Sequence, residues 1–246
     1  MVLQYRGELI RQILRRCHRA VAATKTSAGL TSFHGVWPPS EKKDFEQDMR
    51  IVPDFISEAE EKQLHEEIEP YMSRLRYEFD HWDDAIHGFR ETERKKWYPK
   101  NRELLERVRE VAFNGAIMPY VHILDLAADG VIKPHVDSVR YCGNTISGIS
   151  LLSDSVMRLV RIDPQKYQQN GSSDNAEDTA YRQQPAALLE NNFYADLLLP
   201  RRSLYIMSHT ARYNFTHEIL ANEHSKFLGN PVPKTRRISI ICRNEP

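Results

Sequence analysis

A mainly β fold with flanking α-helices, a double-stranded β-helix or jelly roll, is predicted by three observations. Short apolar segments rich in Val, Ile and Leu, separated by Gly, Asn, Asp and Ser, run from Tyr120 to the end of the chain. Two helical patterns stand before them, outside the strand-rich region. At 246 residues the chain is long enough for one such domain with a sizeable core.

Residues 1–36 differ from the rest. They hold Arg6, Arg11, Arg15, Arg16, Arg19 and Lys25 against a single acid, Glu8. On a helical projection Ile10, Ile13, Leu14, Cys17 and Val21 share one face, and Arg11, Arg15, Arg16 and Arg19 the other. An amphipathic, arginine-rich, acid-poor start followed by Thr and Ser reads as a mitochondrial transit peptide, which implies the mitochondrial matrix. Without it, the 34 basic and 34 acidic residues of the chain fall to 28 and 33, a net charge of −5. A mildly acidic body is a poor general binder of nucleic acid, because phosphate affinity rests on clustered positive charge. Cys17, Cys142 and Cys242 are too few and too scattered for a disulfide framework, which points to reducing conditions. No stretch approaches the ~20 apolar residues that a helical membrane span needs.

Residues 37–48, beginning Trp37-Pro38-Pro39, read as a linker into a single domain over 49–246. Residues 49–55 read as its opening strand. Ser57-Glu58-Ala59-Glu60 is a capping box, and the helix it opens carries Leu64, Ile68, Tyr71 and Leu75 as a core-facing stripe despite Pro70. A second helix is expected over about 102–114, with Leu104, Leu105, Val108 and Val111 inward. Val121, Ile123 and Leu124 lead to Asp129-Gly130, which reads as a hairpin turn, and then to the strand carrying His135. Strands are expected over 146–152, 157–162, 195–199, 203–207 and 237–243. The polar stretch 164–190 reads as a disordered insertion between two of them.

Successive strand residues point to opposite faces, so His135 and Asp137 emerge on one side. Completed by a histidine from elsewhere, an imidazole and a carboxylate make a three-point facial set that suits iron(II) and leaves other positions open. His209, His217 and His224 are the downstream candidates for the third position. On the last strand Arg237, Ser239, Ile241 and Arg243 share one parity, and Ile238, Ile240 and Cys242 the other. Two guanidiniums in one pocket suit a dicarboxylate. Iron plus a dicarboxylate anchor leads to the expectation of a 2-oxoglutarate-dependent oxygenase. Tyr205 is placed to donate its hydroxyl to the same carboxylate, with core packing as the competing role. No catalytic side chain beyond the metal centre is expected.

The segments RYEFDHWDDAIHGFRETE (76–93), VIKPHVDS (131–138), ISLLSDSVMRLV (149–160), ARYNFTHEIL (211–220) and RRISIICR (236–243) resemble the AlkB family of Fe(II)/2-oxoglutarate-dependent dioxygenases, and most of all its mitochondrial branch. The resemblance covers roughly 50–160 and 194–243. It implies His135, Asp137 and His217 as metal ligands, with His209 in reserve. It implies Arg237 on the far carboxylate of 2-oxoglutarate, Arg243 at the same site, and Arg236 facing outward. Fe(II), 2-oxoglutarate and O2 are the implied cofactors. Two departures stand out. Relatives that repair nucleic acid carry an Asn-x-Tyr pair where this chain has His122 and Leu124, leaving His122 as the polar contact to the cosubstrate. Their nucleotide-recognition lid is reduced here to a short connection from Tyr77 to Trp97, holding Trp82, Phe89, Trp97, Arg90, Arg94, Lys95 and Lys96. An unidentified protein or small metabolite, not duplex DNA, is therefore the expected substrate. Oxidative demethylation of methylated mitochondrial RNA is the first alternative, and an iron- and 2-oxoglutarate-binding sensor or scaffold the second. The resemblance also implies links to fatty-acid metabolism and regulated necrosis.

Overall fold

In the computed structural model, which describes residues 29–79, 85–113, 115, 117–162 and 193–246, the chain forms a curled antiparallel sheet of ten strands flanked by helices. In chain order the elements are β1 (Thr31–His34), α1 (Pro39–Asp48), β2 (Met49–Val52), α2 (Glu58–Met72), β3 (Ile86–Arg94), α3 (Pro99–Ala112), β4 (Val121–His135), β5 (Thr145–Leu151), β6 (Ser155–Arg161), β7 (Tyr194–Leu199), β8 (Leu204–Ser208), α4 (His209–Tyr213), β9 (Phe215–Ile219), the two-residue pair β10 (Lys226–Phe227) and β11 (Asn230–Pro231), and β12 (Arg237–Arg243). The sheet runs β1-β7-β6-β9-β4-β12-β5-β8-β2, with β3 also on β4. The insertion read at 164–190 and most of the arginine-rich leader lie outside the described residues.

Strand β4 is the hinge of this topology. Its first half pairs with β12 (Leu126 opposite Arg237, His122 opposite Ile241), and its second half pairs with β9 (Ile132 opposite Ile219, His135 opposite His217). Strand alternation then sorts the core into two layers. Leu124, Leu126, Tyr205, Met207, Leu159, Leu197, Phe215 and Ile241 fill the inside of the curl. Ile123, Ile149, Leu151, Leu204, Ile206, Ile238, Ile240 and Cys242 face out to α2 and α3, where Leu64, Ile68, Met72, Leu104, Leu105 and Val108 cover them. The capping box forms as expected: Ser57 Oγ accepts from Glu60 N–H, and Glu60 reaches back to Ser57 N–H.

Asp129-Gly130 is not a hairpin turn. The strand continues through it, with a register shift against β3. A Cβ at Gly130 would lie 2.5 Å from the Gly88 carbonyl oxygen, so the two backbones meet more closely than any other residue allows. The Lys234 ammonium donates to the carbonyls of Ala127 and Ala128, both at 2.8 Å, which satisfies the bulged backbone. The helix α2 stripe also differs from the expected one. Leu64, Ile68 and Met72 are buried, whereas Tyr71 and Leu75 are 54% and 39% exposed. Steps of four residues keep one face inward, and Tyr71 falls a full turn fraction off it, lying under the Arg94 guanidinium.

The segment read as a linker, 37–48, is mostly helix α1, and 31–34 within the expected leader is strand β1, paired with β7. The cause is aromatic. Phe45 is 1% exposed and packs edge-on against Phe33 and Trp37 and tilted against Phe215 of β9. A single apolar residue among charged neighbours gives no periodic signal, yet here it closes one end of the curl.

Outside the smaller half of the sheet, Arg158 makes a two-point ion pair with Asp196. Glu218 lies opposite Arg158 in register. Burial pushes its carboxyl up to about 7, Arg158 lowering it and Asp196 raising it further.

Two outcomes test these contacts. Phe45→Ala should lose about 3–5 kcal/mol of unfolding free energy in urea titrations; a loss below about 0.5 kcal/mol would return 37–48 to linker status. Because the folded-state pKa of Glu218 lies above its ordinary value, its ionisation opposes folding. The penalty is absent below about pH 4.5 and complete above about pH 7. Glu218→Gln should therefore stabilise the protein by roughly 2–3 kcal/mol at pH 8 and not at pH 4; a pH-independent difference between the two proteins contradicts the burial argument.

Candidate metal centre

His135 ends β4, Asp137 follows two residues later, and His217 lies directly across from His135 on β9. The two imidazole rings are 4.2 Å apart between centroids, and His217 Nε2 lies 3.6 Å from Asp137 Oδ2. One ligand atom from each of the three side chains falls within 4.8 Å of the others, and among the described residues this is the one such group. His135 Nδ1 lies 2.8 Å from the Lys133 carbonyl oxygen. That oxygen can only accept, so Nδ1 carries the proton and Nε2 keeps its lone pair for a cation.

The electrostatics agree with a cation site. Burial works to raise the Asp137 carboxyl, but His217, His135, Arg243 and Arg212 outweigh it and hold the group at about 2. Burial, helped by His135, pushes His217 down to about 3. Asp137 is thus a carboxylate and His217 a neutral imidazole at physiological pH, the protonation states that metal binding requires. His209 and His224 are both exposed, and neither joins the group. His209 opens α4 with φ of 35°.

Parity on β12 holds. Arg237, Ser239, Ile241 and Arg243 face the inside of the curl, and Ile238, Ile240 and Cys242 face the helices. Arg237 is 2% exposed; its Nη2 donates to Ser150 Oγ at 3.0 Å, its Nε has no hydrogen-bond partner, and no carboxylate among the described residues pairs with it. A guanidinium left this way is costly unless an anion arrives to meet it. Tyr205, buried on β8, lies beside Arg237 and Ser239, with its phenol raised by burial. Gly148 makes its room: a Cβ there would sit 2.4 Å from the Tyr205 ring. A buried cation without a counter-ion, a phenol beside it and a three-ligand set on the same interior fit a dicarboxylate that also touches the metal.

Arg236 faces the opposite way, toward α2, but it is not solvated. It donates to Glu69 and to Asp125, which is fully buried and also held by Arg90 and Tyr77. His122 stands on the interior face, and both its ring nitrogens are engaged: Nδ1 with Arg243 Nη2 at 3.0 Å and Nε2 with Glu91 at 2.8 Å. Leu124 is buried and lines the interior as an apolar wall.

Two residues at the site escaped the reading of the sequence. Arg212 on α4 is 1% exposed, donates to the Ser138 carbonyl and adds positive charge beside Asp137 and His217. A five-residue helix has too little periodicity to announce it. Glu91 joins the site only because β3 lies on β4, and its spacing from His122 in sequence carries no signal.

The short connection is strand β3 and its flanks. Phe89 is 2% exposed in the interior core, and Trp97 packs under α2 and α3. Arg90 pairs with Asp125, Arg94 with Glu67, and Lys95 lies over Tyr120. Trp82 lies outside the described residues.

No family model matches the chain. It is 47% identical over 203 residues to the "Alpha-ketoglutarate-dependent dioxygenase alkB homolog 7, mitochondrial" of Bos taurus, covering 81% of this chain and 80% of that protein. The Mus musculus protein of the same description is 47% identical over 198 residues, covering 80% and 78%. The solved structure of OsALKBH1 superposes with a TM-score of 0.52 at 9% identity, covering 87% of this chain and all of the other, a likeness of fold.

The ligand set makes a direct prediction. His135→Ala, Asp137→Ala and His217→Ala should each abolish stoichiometric Mn(II) or Fe(II) binding by calorimetry while keeping the far-ultraviolet spectrum. His209→Ala and His224→Ala should bind as the parent does. Retention of metal by His217→Ala together with its loss in His209→Ala would overturn the assignment.

Proposed function

The chain belongs to the AlkB family of 2-oxoglutarate-dependent dioxygenases, and from that premise we propose that it oxidises a protein or small metabolite in mitochondria, not a base in duplex DNA. It is a dioxygenase whose cofactors are iron(II), 2-oxoglutarate and dioxygen, and its relatives are named mitochondrial. The observation that carries the substrate reading is the state of the segment 77–97. Phe89 is core, Trp97 packs against the helix-side core, and Arg90 and Arg94 are committed to carboxylates, so these four are not available to stack on or pair with an extruded base; Phe79, Lys95 and Lys96 stay exposed. The net charge of −5 outside the leader works in the same direction. The link to fatty-acid metabolism and regulated necrosis is part of this proposal; it fits the compartment and rests on the resemblance alone.

His135, Asp137 and His217 would hold the iron. When bound, iron(II) with 2-oxoglutarate and dioxygen supplies the oxidation of a C–H bond, with release of succinate and carbon dioxide. The chain's own residues do the rest. His217 offers a neutral imidazole, Asp137 an ionised carboxylate, and His135 its Nε2, because Nδ1 is engaged by the Lys133 carbonyl. Arg237, anchored on Ser150, would pair with the far carboxylate of 2-oxoglutarate, with the Tyr205 hydroxyl beside it. Arg243 bears electrostatically on both Asp137 and His217, which would put it nearer the metal end of the same ligand. Leu124, Ile241 and Met207 supply apolar walls to that interior.

Adjacent arginines separate the two faces. Arg237→Ala removes one partner of a desolvated charge pair, worth on the order of 2–5 kcal/mol, so 2-oxoglutarate binding should weaken about 30-fold or more. Arg236→Ala should leave that affinity within about twofold but destabilise the fold by roughly 1–3 kcal/mol, because it strips a donor from buried Asp125. Equal losses of affinity at both positions would refute the strand parity. For the substrate, purified protein with iron, ascorbate and 2-oxoglutarate should be offered methylated duplex DNA, methylated transfer RNA and a mitochondrial protein and metabolite extract. An oxidised protein or metabolite, with the DNA untouched, is the expected result. Demethylated transfer RNA would replace the reading with RNA repair, and succinate with no modified product would replace it with a sensor or scaffold.

A further inference from the structure

We infer that Glu91 and His122 are positioning residues: they form a relay, Glu91–His122–Arg243, that fixes where the Arg243 guanidinium points. The inference rests on the cosubstrate site proposed above and goes beyond it, because it assigns His122 a role through Arg243 and brings in Glu91, a residue of β3 with no counterpart among the expected ligands.

Chemistry alone sets each proton. A guanidinium has donors and no acceptor, so the 3.0 Å contact from Arg243 Nη2 requires a lone pair on His122 Nδ1. The ring proton is then on Nε2, and it is donated to the Glu91 carboxylate at 2.8 Å. The imidazole is therefore the neutral Nε2–H tautomer, polarised by an acid on one side and reading out as an acceptor on the other. The same carboxylate–imidazole logic that orients metal-bound histidines here orients an arginine.

Topology puts the three together. Glu91, His122 and Ile241 lie on β3, β4 and β12, three consecutive strands, with His122 opposite Ile241 and Arg243 two residues on, on the same face. The side chain of His122 is 14% exposed and that of Glu91 36%, so the relay runs from the solvent edge toward the interior. The need for it follows from a comparison within the site. Arg237 is 2% exposed and braced by Ser150, whereas Arg243, the last residue of β12, is only partly buried and would otherwise be a long side chain free to sample solvent. With one Nη2 proton tied to His122, Nε, which has no hydrogen-bond partner, is left to meet a ligand carboxylate. Both ring nitrogens of His122 are taken, so it cannot contact that carboxylate itself without giving up the relay.

The test measures 2-oxoglutarate affinity for the Mn(II)-loaded full-length protein by calorimetry, with Mn(II) affinity measured separately. His122→Phe, which keeps a ring but removes the acceptor, should weaken 2-oxoglutarate about 10-fold, the loss of one hydrogen bond to a charged group, and leave Mn(II) affinity unchanged. His122→Asn, whose carbonyl can take the place of Nδ1, should restore binding to within about threefold. Glu91→Ala, a milder change at the solvent edge, should weaken 2-oxoglutarate in the same direction and serves if His122→Phe does not fold. In an Arg243→Ala background neither substitution should add a further loss. An unchanged affinity in both His122→Phe and Glu91→Ala, or losses that add fully to that of Arg243→Ala, would overturn the relay. If Arg237→Ala still weakens 2-oxoglutarate, the cosubstrate site survives that failure; if neither arginine matters, the site reading itself is wrong.

Discussion

Two glycines facing each other across a backbone contact make the rest of the molecule possible. Strand β4 must leave β12 and join β9 within a few residues, and it does so where Gly130 meets Gly88 with no room for a Cβ. The detour leaves carbonyls off the ladder, and a lysine with 2% exposure is drawn in to satisfy them. Burial, with Arg237 nearby, lowers that Lys234 ammonium to about 8, the cost of placing a cation there. His135 faces His217 only because the strand has made this transfer.

The second constraint is alternation along β12. One seven-residue strand supplies the helix-side core with Ile238, Ile240 and Cys242 and the interior site with Arg237 and Arg243. Its immediate predecessor, Arg236, is spent on the opposite side against Glu69 and Asp125. Neighbouring residues of identical chemistry thus have unrelated duties, one holding helix α2 to the sheet and the other left unpaired in the interior. A slip of one residue in this strand would exchange them and bury the wrong side chains on both faces.

Wherever a local rule dominates, the residues could be read from the sequence. The capping box at Ser57, the pairing of His135 with Asp137 on one face and the parity of β12 follow from backbone geometry that no distant contact overrides. His217 could be narrowed only to one of three histidines from local features, since its place depends on the β4–β9 register; the family resemblance made the choice. Asp129-Gly130 misled because a turn and a bulge draw on the same conformational freedom, and the difference lies in Gly88, forty-odd residues earlier. Helix α1 was hidden because its one buried side chain is a phenylalanine, and its other attachments, Glu41 to Arg161 and Asp48 to Thr210, are made to residues far along the chain. Tyr71 was misplaced by a single position on the helix face. The relay through His122 needed β3, β4 and β12 in register before its members could be seen as neighbours.

Strand β1 has a wider consequence. It is short and polar, carrying Ser32 and His34, and it ends the sheet by covering β7, whose sequence Tyr194–Leu199 is mostly apolar. Such a terminal strand is a guard against intermolecular pairing. Any shortening of the chain from its N-terminus that reaches Thr31 would remove this guard. Loss of β1 would leave the metal ligands in place while exposing the apolar edge of β7, a template on which a second copy of the chain could pair.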